Sequence, residues 1–282
     1  MSRKLELVRE EKLFRLLPGK KETSRLEASG VALVDDTTAL VIFDNFNQIA
    51  RIDLSLRRRP SNGLIPAPSL GSGFEDIAID ATGGHIFCLI EALEDFDGLL
   101  RGFVSEYDPA GHFLSCTRLH TRFHDENKGF EGLAHLWHGR REFLWALHEG
   151  NHKKTARYGG GRVDVFVRGR NGEWEASHRI GLPGKAHFED YSALAYRFGQ
   201  LAVVSQASAR LWVARVNEKT RAVVPGSETL YRFPSKRYGN VEGIAWLTED
   251  TLVAVSDRVK SSQPSRGAKK DQSIHIFRLP KD

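Results

Sequence analysis

One two-strand phrase recurs five times along the chain, and such a repeat constrains the fold strongly because each copy buries its apolar face against the next. The copies are Ser29-Gly-Val-Ala-Leu-Val to Ala39-Leu-Val-Ile-Phe-Asp44, Glu75-Asp-Ile-Ala-Ile-Asp to His85-Ile-Phe-Cys-Leu-Ile-Glu91, and Glu131-Gly-Leu-Ala-His-Leu to Glu142-Phe-Leu-Trp-Ala-Leu-His-Glu149. Ser192-Ala-Leu-Ala-Tyr to Gln200-Leu-Ala-Val-Val-Ser-Gln206 and Glu242-Gly-Ile-Ala-Trp-Leu to Thr251-Leu-Val-Ala-Val-Ser-Asp257 complete the set. The second strand of each phrase is almost wholly apolar, as a strand buried on both faces must be.

After each pair comes a more alternating strand, such as Arg162-Val-Asp-Val-Phe-Val or Ser273-Ile-His-Ile-Phe-Arg-Leu, and then a weaker fourth. Four antiparallel strands repeating every ~40–60 residues predict an all-β, five-bladed propeller as a single domain. The blades fall at 28–68, 74–120, 130–183, 189–233 and 241–280. The last unit has three strands, and Lys12-Leu-Phe-Arg-Leu-Leu-Pro18 resembles the fourth strands elsewhere. The strand over 12–18 is therefore expected to complete the last blade and close the ring. A two-sheet sandwich with coincidental repeats and a sixth, degenerate blade are the competing readings.

A hydrophobic content of 40% over 282 residues supports a sizeable core. The formal charge of +5 is dispersed over the chain, which argues against nucleic acid as the main partner. No apolar run approaches membrane-spanning length, and the charged start from Met1 to Glu11 lacks the pattern of a secretory signal. Cys88 and Cys116 read as two thiols rather than a disulfide, so a reduced, cytoplasmic setting is expected.

In register, the repeats place Ser29, Glu75, Glu131, Ser192 and Glu242 before the first strand, and Asp44, Glu91, Glu149, Gln206 and Asp257 after the second. In a propeller both positions converge on one mouth of the central channel. Seven carboxylates there would raise one another's pKa unless neutralised. The seven acids, Asp44, Glu75, Glu91, Glu131, Glu149, Glu242 and Asp257, are the candidate metal ligands. An all-oxygen donor set suits a hard divalent cation, calcium ahead of magnesium, better than zinc. Ion pairing with neighbouring Arg and Lys is the structural alternative. His148 is expected on the opposite face of its strand from the acids.

Basic connections overlook the same mouth. Ala92 to Gly102, Gly150 to Gly161 and Arg258 to Gln272 are the long ones. Lys153, Lys154, Arg157, Arg258 and Lys260 are candidates to bind a small anionic substrate, and Glu131, Glu149 and His152 are candidate catalytic groups. No G-x-S-x-G elbow is present, which argues against a Ser-His-Asp hydrolase.

The phrases Phe130-Glu-Gly-Leu-Ala134, Val241-Glu-Gly-Ile-Ala245 and Leu252-Val-Ala-Val-Ser-Asp257 resemble the repeat of the SdiA-regulated propeller family and of the esterase-like phytase domain. The likeness covers all five inner strand pairs and little of the outer strands. It implies a calcium-associated acidic channel and hydrolysis of a phosphate or other ester, carried by the seven acids named above. Ser29, Ser192 and Gln206 depart from a uniform acidic ring. The expectation is thus a metal-dependent hydrolase of an anionic phosphate or carboxylate ester. Two alternatives stand beside it: a glycosidase using two ring carboxylates, and a non-catalytic propeller that captures a cationic ligand or peptide.

Overall fold

The computed structural model describes residues 3–69, 71, 73–123, 129–149, 161–260 and 265–280, with the backbone alone at 185, 265 and 266. It is a five-bladed β-propeller with four antiparallel strands per blade. The innermost strands are Ala28–Leu33, Ile77–Ile79, Phe130–His138, Ala193–Arg197 and Val241–Thr248. Each pairs with an apolar second strand, namely Thr38–Phe43, Ile86–Glu94, Arg141–His148, Gln200–Ser205 and Thr251–Ser256. Among the described residues neither a sandwich nor a sixth blade is formed.

The second strands read as continuous apolar runs because both of their faces pack against neighbouring blades. Between blades three and four, Phe143, Trp145 and Leu147 meet Leu201, Val203 and Trp212, all fully buried. Each such Leu, Val or Phe contributes about 1.5–3 kcal/mol relative to exposure. The core is thus a set of inter-blade layers rather than one central cluster. Cys88 and Cys116 are free thiols, and His148 packs against Phe123 and Phe130 as its strand register requires.

Closure differs from the sequence expectation in its residues. The strand that completes blade five is Glu6–Lys12, antiparallel to Ser273–Arg278, and not the segment from Lys12 to Pro18. Leu13–Leu16 instead forms one helical turn, its Leu13 and Leu16 buried beside Leu26, Val253 and Ile274. An outermost strand faces solvent, so Glu6–Lys12 carries little apolar signal, whereas the helical turn is buried and carries more. Just before it, Arg3–Lys4 lies parallel to Thr229–Arg232 of blade four, so one ribbon spans two blades. Glu10 on this ribbon accepts hydrogen bonds from His275 Nδ1 at 3.2 Å, from Tyr238 Oη at 3.1 Å and from Lys270. The His275 bond, supported by Lys270, holds the Glu10 carboxyl down at about 2 against the opposing effect of burial.

A second correction concerns the Ala92 to Gly102 connection. Ile86–Glu94 and Leu100–Tyr107 continue as a hairpin across a register shift between Ile90 and Leu93, which leaves a short turn. Arg101 and Arg118 clamp Asp95 at that turn, at 2.8 and 3.0 Å.

Candidate functional site

The inner strands present their ring residues through a local irregularity. In blades one, three and five the pairing with the second strand skips one residue, at Ser29, Glu131 and Glu242. Such a bulge leaves its residue outside the ladder and re-aims the side chain. The glycine that follows is required by close approach. A Cβ on Gly243 would meet Gly30 Cα at 2.7 Å, one on Gly30 would meet Asp76 Cα at 2.8 Å, and one on Gly132 would meet the Leu194 backbone nitrogen at 2.7 Å. Neighbouring inner strands therefore touch just below the ring, which sets the bulged carboxylates at the floor of a narrow mouth.

Three of these acids, Glu91, Glu131 and Glu149, bring one oxygen each within 4.8 Å of one another. The other four join them electrostatically. Burial, then the charges of Asp44 and Glu91, push Glu75 up to about 8. Burial and the charges of Glu75, Glu91, Glu149 and Glu242 push Glu131 well above the usual carboxylate range. Glu242 is raised likewise, with Asp257 its strongest charged neighbour, and burial lifts Asp257 to about 7. Glu75, Glu131 and Glu242 are partly exposed at the mouth and Asp257 is buried; all are ringed by protein, so water solvates them poorly. Lys260 opposes the trend: its Nζ lies 4.0 Å from Asp257 Oδ2, and its charge favours the ionised forms of Glu75, Glu242 and Asp257.

The ring members that are not clustered knit the blades together. Gln206 donates to Glu242, Ser29 donates to the Phe74 carbonyl, and Ser192 Oγ lies 3.2 Å from the Val241 carbonyl oxygen. Glu91 also accepts from the Gly129 backbone N–H at 2.9 Å. Arg258 turns its guanidinium toward Glu27, at 3.7 Å. The expected substrate-binding Lys153, Lys154 and Arg157 and the expected catalytic His152 lie outside the described residues.

Two acids next to ring positions, the buried Asp76 and the part-buried Asp190, escaped the alignment. Asp76 accepts from the Ile77 N–H at 2.8 Å and, across the blade junction, from the Leu133 N–H at 2.7 Å, while burial raises its pKa well above the ordinary value. It stands where three other copies have Gly30, Gly132 and Gly243, and that departure was its visible signal. Asp190, raised by burial, holds Ser205 Oγ at 2.5 Å and the Ala207 N–H at 3.0 Å, and lies two residues before the ring position, where Glu27 of blade one is its acidic counterpart in phase.

No protein-family model and no curated protein matches the chain. Solved structures do. A glutaminyl cyclase from Myxococcus xanthus is 11% identical, with 99% of each chain covered and a TM-score of 0.57. A structure from the GH130 family of mannoside phosphorylases and glycoside hydrolases is 10% identical over 91% of this chain and 85% of its own, with a TM-score of 0.56. A sucrose-6-phosphate hydrolase from Lactobacillus gasseri is 11% identical over 91% of this chain and 59% of its own, at 0.53. Likeness at these identities shows the fold alone. The SdiA-regulated and phytase-like names rest on the repeat phrase. No helix among the described residues is long and apolar enough to cross a membrane.

Proposed function

We propose that the protein is a metal-dependent hydrolase of a small anionic ester, phosphate or carboxylate, acting at the acidic mouth. The observation that carries this reading is the convergence of Glu91, Glu131 and Glu149 within 4.8 Å. Like charges so placed in a poorly solvated well are costly unless neutralised, and their all-oxygen donor set fits calcium or, second, magnesium. Glu75 and Glu242 act electrostatically on Glu131, and Asp44 and Asp257 act on those two in turn. When bound, a divalent cation would neutralise this charge and polarise a substrate oxygen. Lys260, more than half exposed beside Asp257, is placed to meet the substrate anion. Glu149 and Glu131 are the candidate groups to hold or move a proton, together with His152.

A second reading has its own observation. Glu75, at about 8, keeps its proton at neutral pH among other carboxylates, which is the division of labour a glycosidase uses between acid and base.

The deciding experiment is metal content by plasma mass spectrometry with melting before and after chelation, for wild type and Glu131→Gln, followed by turnover of phosphate and carboxylate esters. Stoichiometric calcium or magnesium, lost in the variant, with metal-dependent ester cleavage is expected. Metal without cleavage of either ester class would leave a binding propeller. A metal-free protein whose melt ignores both chelator and added cation would end the metal reading and favour testing aryl glycosides against Glu75→Gln.

A further inference from the structure

At the end of the channel opposite the acids, the five inner strands enclose a second cavity of about 270 Å³. Its lining begins at Val31, Ile77, Leu133, Leu194 and Ile244, one residue beyond the level where neighbouring strands touch through Gly30, Asp76, Gly132 and Gly243. No acid of the ring lines it.

His135 and Asp80 line this cavity together. The His135 side chain is fully buried and stacks on Phe87 at 4.7 Å between centroids. Its Nε2 lies 3.0 Å from Glu142 Oε1, and Arg168 Nη1 holds that carboxylate at 3.4 Å. A carboxylate only accepts, so Nε2 carries a ring proton, and in the neutral imidazole Nδ1 then presents a lone pair. That buried Nδ1 meets no hydrogen-bond partner among the described residues, a costly state for a polar atom. Asp80 Oδ1 stands 4.0 Å from it, too far for a hydrogen bond and well spaced for one nitrogen donor to reach both. Asp80 is itself fixed by Trp137 Nε1 at 2.9 Å and by the Thr82 side chain.

Exposed apolar side chains stand close to the opening. Val34 of the lining, with Trp137 and Phe198 near the ends of the inner strands of blades three and four, are 38%, 46% and 44% exposed. Arg197, the one Lys or Arg among the lining residues, is drawn onto the Phe198 ring at 4.7 Å and onto the Trp246 carbonyl oxygen at 3.0 Å.

We propose that this cavity is a second ligand site, taking a small primary amine with an apolar body. The ammonium donates to His135 Nδ1 and Asp80, and the apolar body lies against the rim. A metal ion is disfavoured here because only two donor groups converge. The one group of three close ligands among the described residues is the acidic trio at the other mouth. The inference does not depend on the hydrolase reading.

The test is calorimetric titration of the full chain with benzylamine, benzyl alcohol and benzoate, paired with nitrogen-15 imidazole spectra of wild type. Saturable binding of benzylamine is expected, about tenfold weaker for the neutral alcohol and for Asp80→Asn, and unchanged in Glu131→Gln. The His135 Nδ1 resonance should start at the position of an unprotonated nitrogen and move as benzylamine saturates. The proposal fails if His135 carries both protons in the free protein, if saturating benzylamine leaves that resonance in place, or if a folded Asp80→Asn binds as wild type does. The wild-type spectra decide the matter even where the variant does not fold.

Discussion

Asp76 shows how one side chain can tie the site to the scaffold. It occupies the glycine position of the repeat, where inner strands nearly touch, and uses the space for a carboxylate that accepts the Leu133 N–H of the next blade. Asn keeps one acceptor and turns an amino group toward the other N–H. Asp76→Asn is therefore expected to lower the unfolding free energy by about 1–3 kcal/mol, measured by urea denaturation. An unchanged midpoint would mean the bond contributes nothing. The sequence shows the departure from glycine but not the bond, because the donor lies far along the chain and only ring closure brings it near. His135 was obscure for a related reason. Its neighbours Glu142 and Asp80 belong to different blades, and neither pair falls in phase with the repeat.

At the scale of the element, the closing ribbon was the least legible part of the fold. The phrase that revealed the inner strands depends on burial of both faces, and Glu6–Lys12 is an outer strand with a mostly exposed pattern. What holds it is polar: Glu10 receives His275, Tyr238 and Lys270. Its carboxyl sits at about 2 in the folded chain against 4.5 unperturbed. For a depressed carboxylate the stabilisation is present above the unfolded value and disappears as pH falls through the folded one. The acid limb of melting temperature against pH, from roughly 4.5 down to 2, should therefore flatten in Glu10→Gln relative to wild type. Parallel acid limbs in the two proteins would show that Glu10 does not couple closure to pH. Because the Glu10 side chain is partly exposed, at 27%, the effect should also shrink in high salt.

Across the whole molecule, a chain with a formal charge of +5 concentrates buried acids at one mouth of its channel. That mouth was legible in advance, since all seven carboxylates occupy two aligned positions of the repeat. The severity of their burial was not, because it follows from strands touching around the axis. The consequence is a protein whose stability should run against pH when no cation is bound. Glu75 titrates at about 8 and Asp257 at about 7 in the folded state, against 4.5 and 3.8 unperturbed. Between those values the folded chain holds protons that the unfolded chain has released, so stability falls as pH rises. The melting temperature of chelated protein should decline from about pH 5 to about pH 8. Millimolar calcium, which favours the ionised carboxylates, should restore it more at the upper end, and its binding should release protons. If calcium raised melting equally at both ends, or not at all, the acids at this mouth would be pairing within the protein rather than holding a metal. Glu131→Gln removes one of the mutually repelling groups, so its chelated form should decline less steeply with pH than the wild type does.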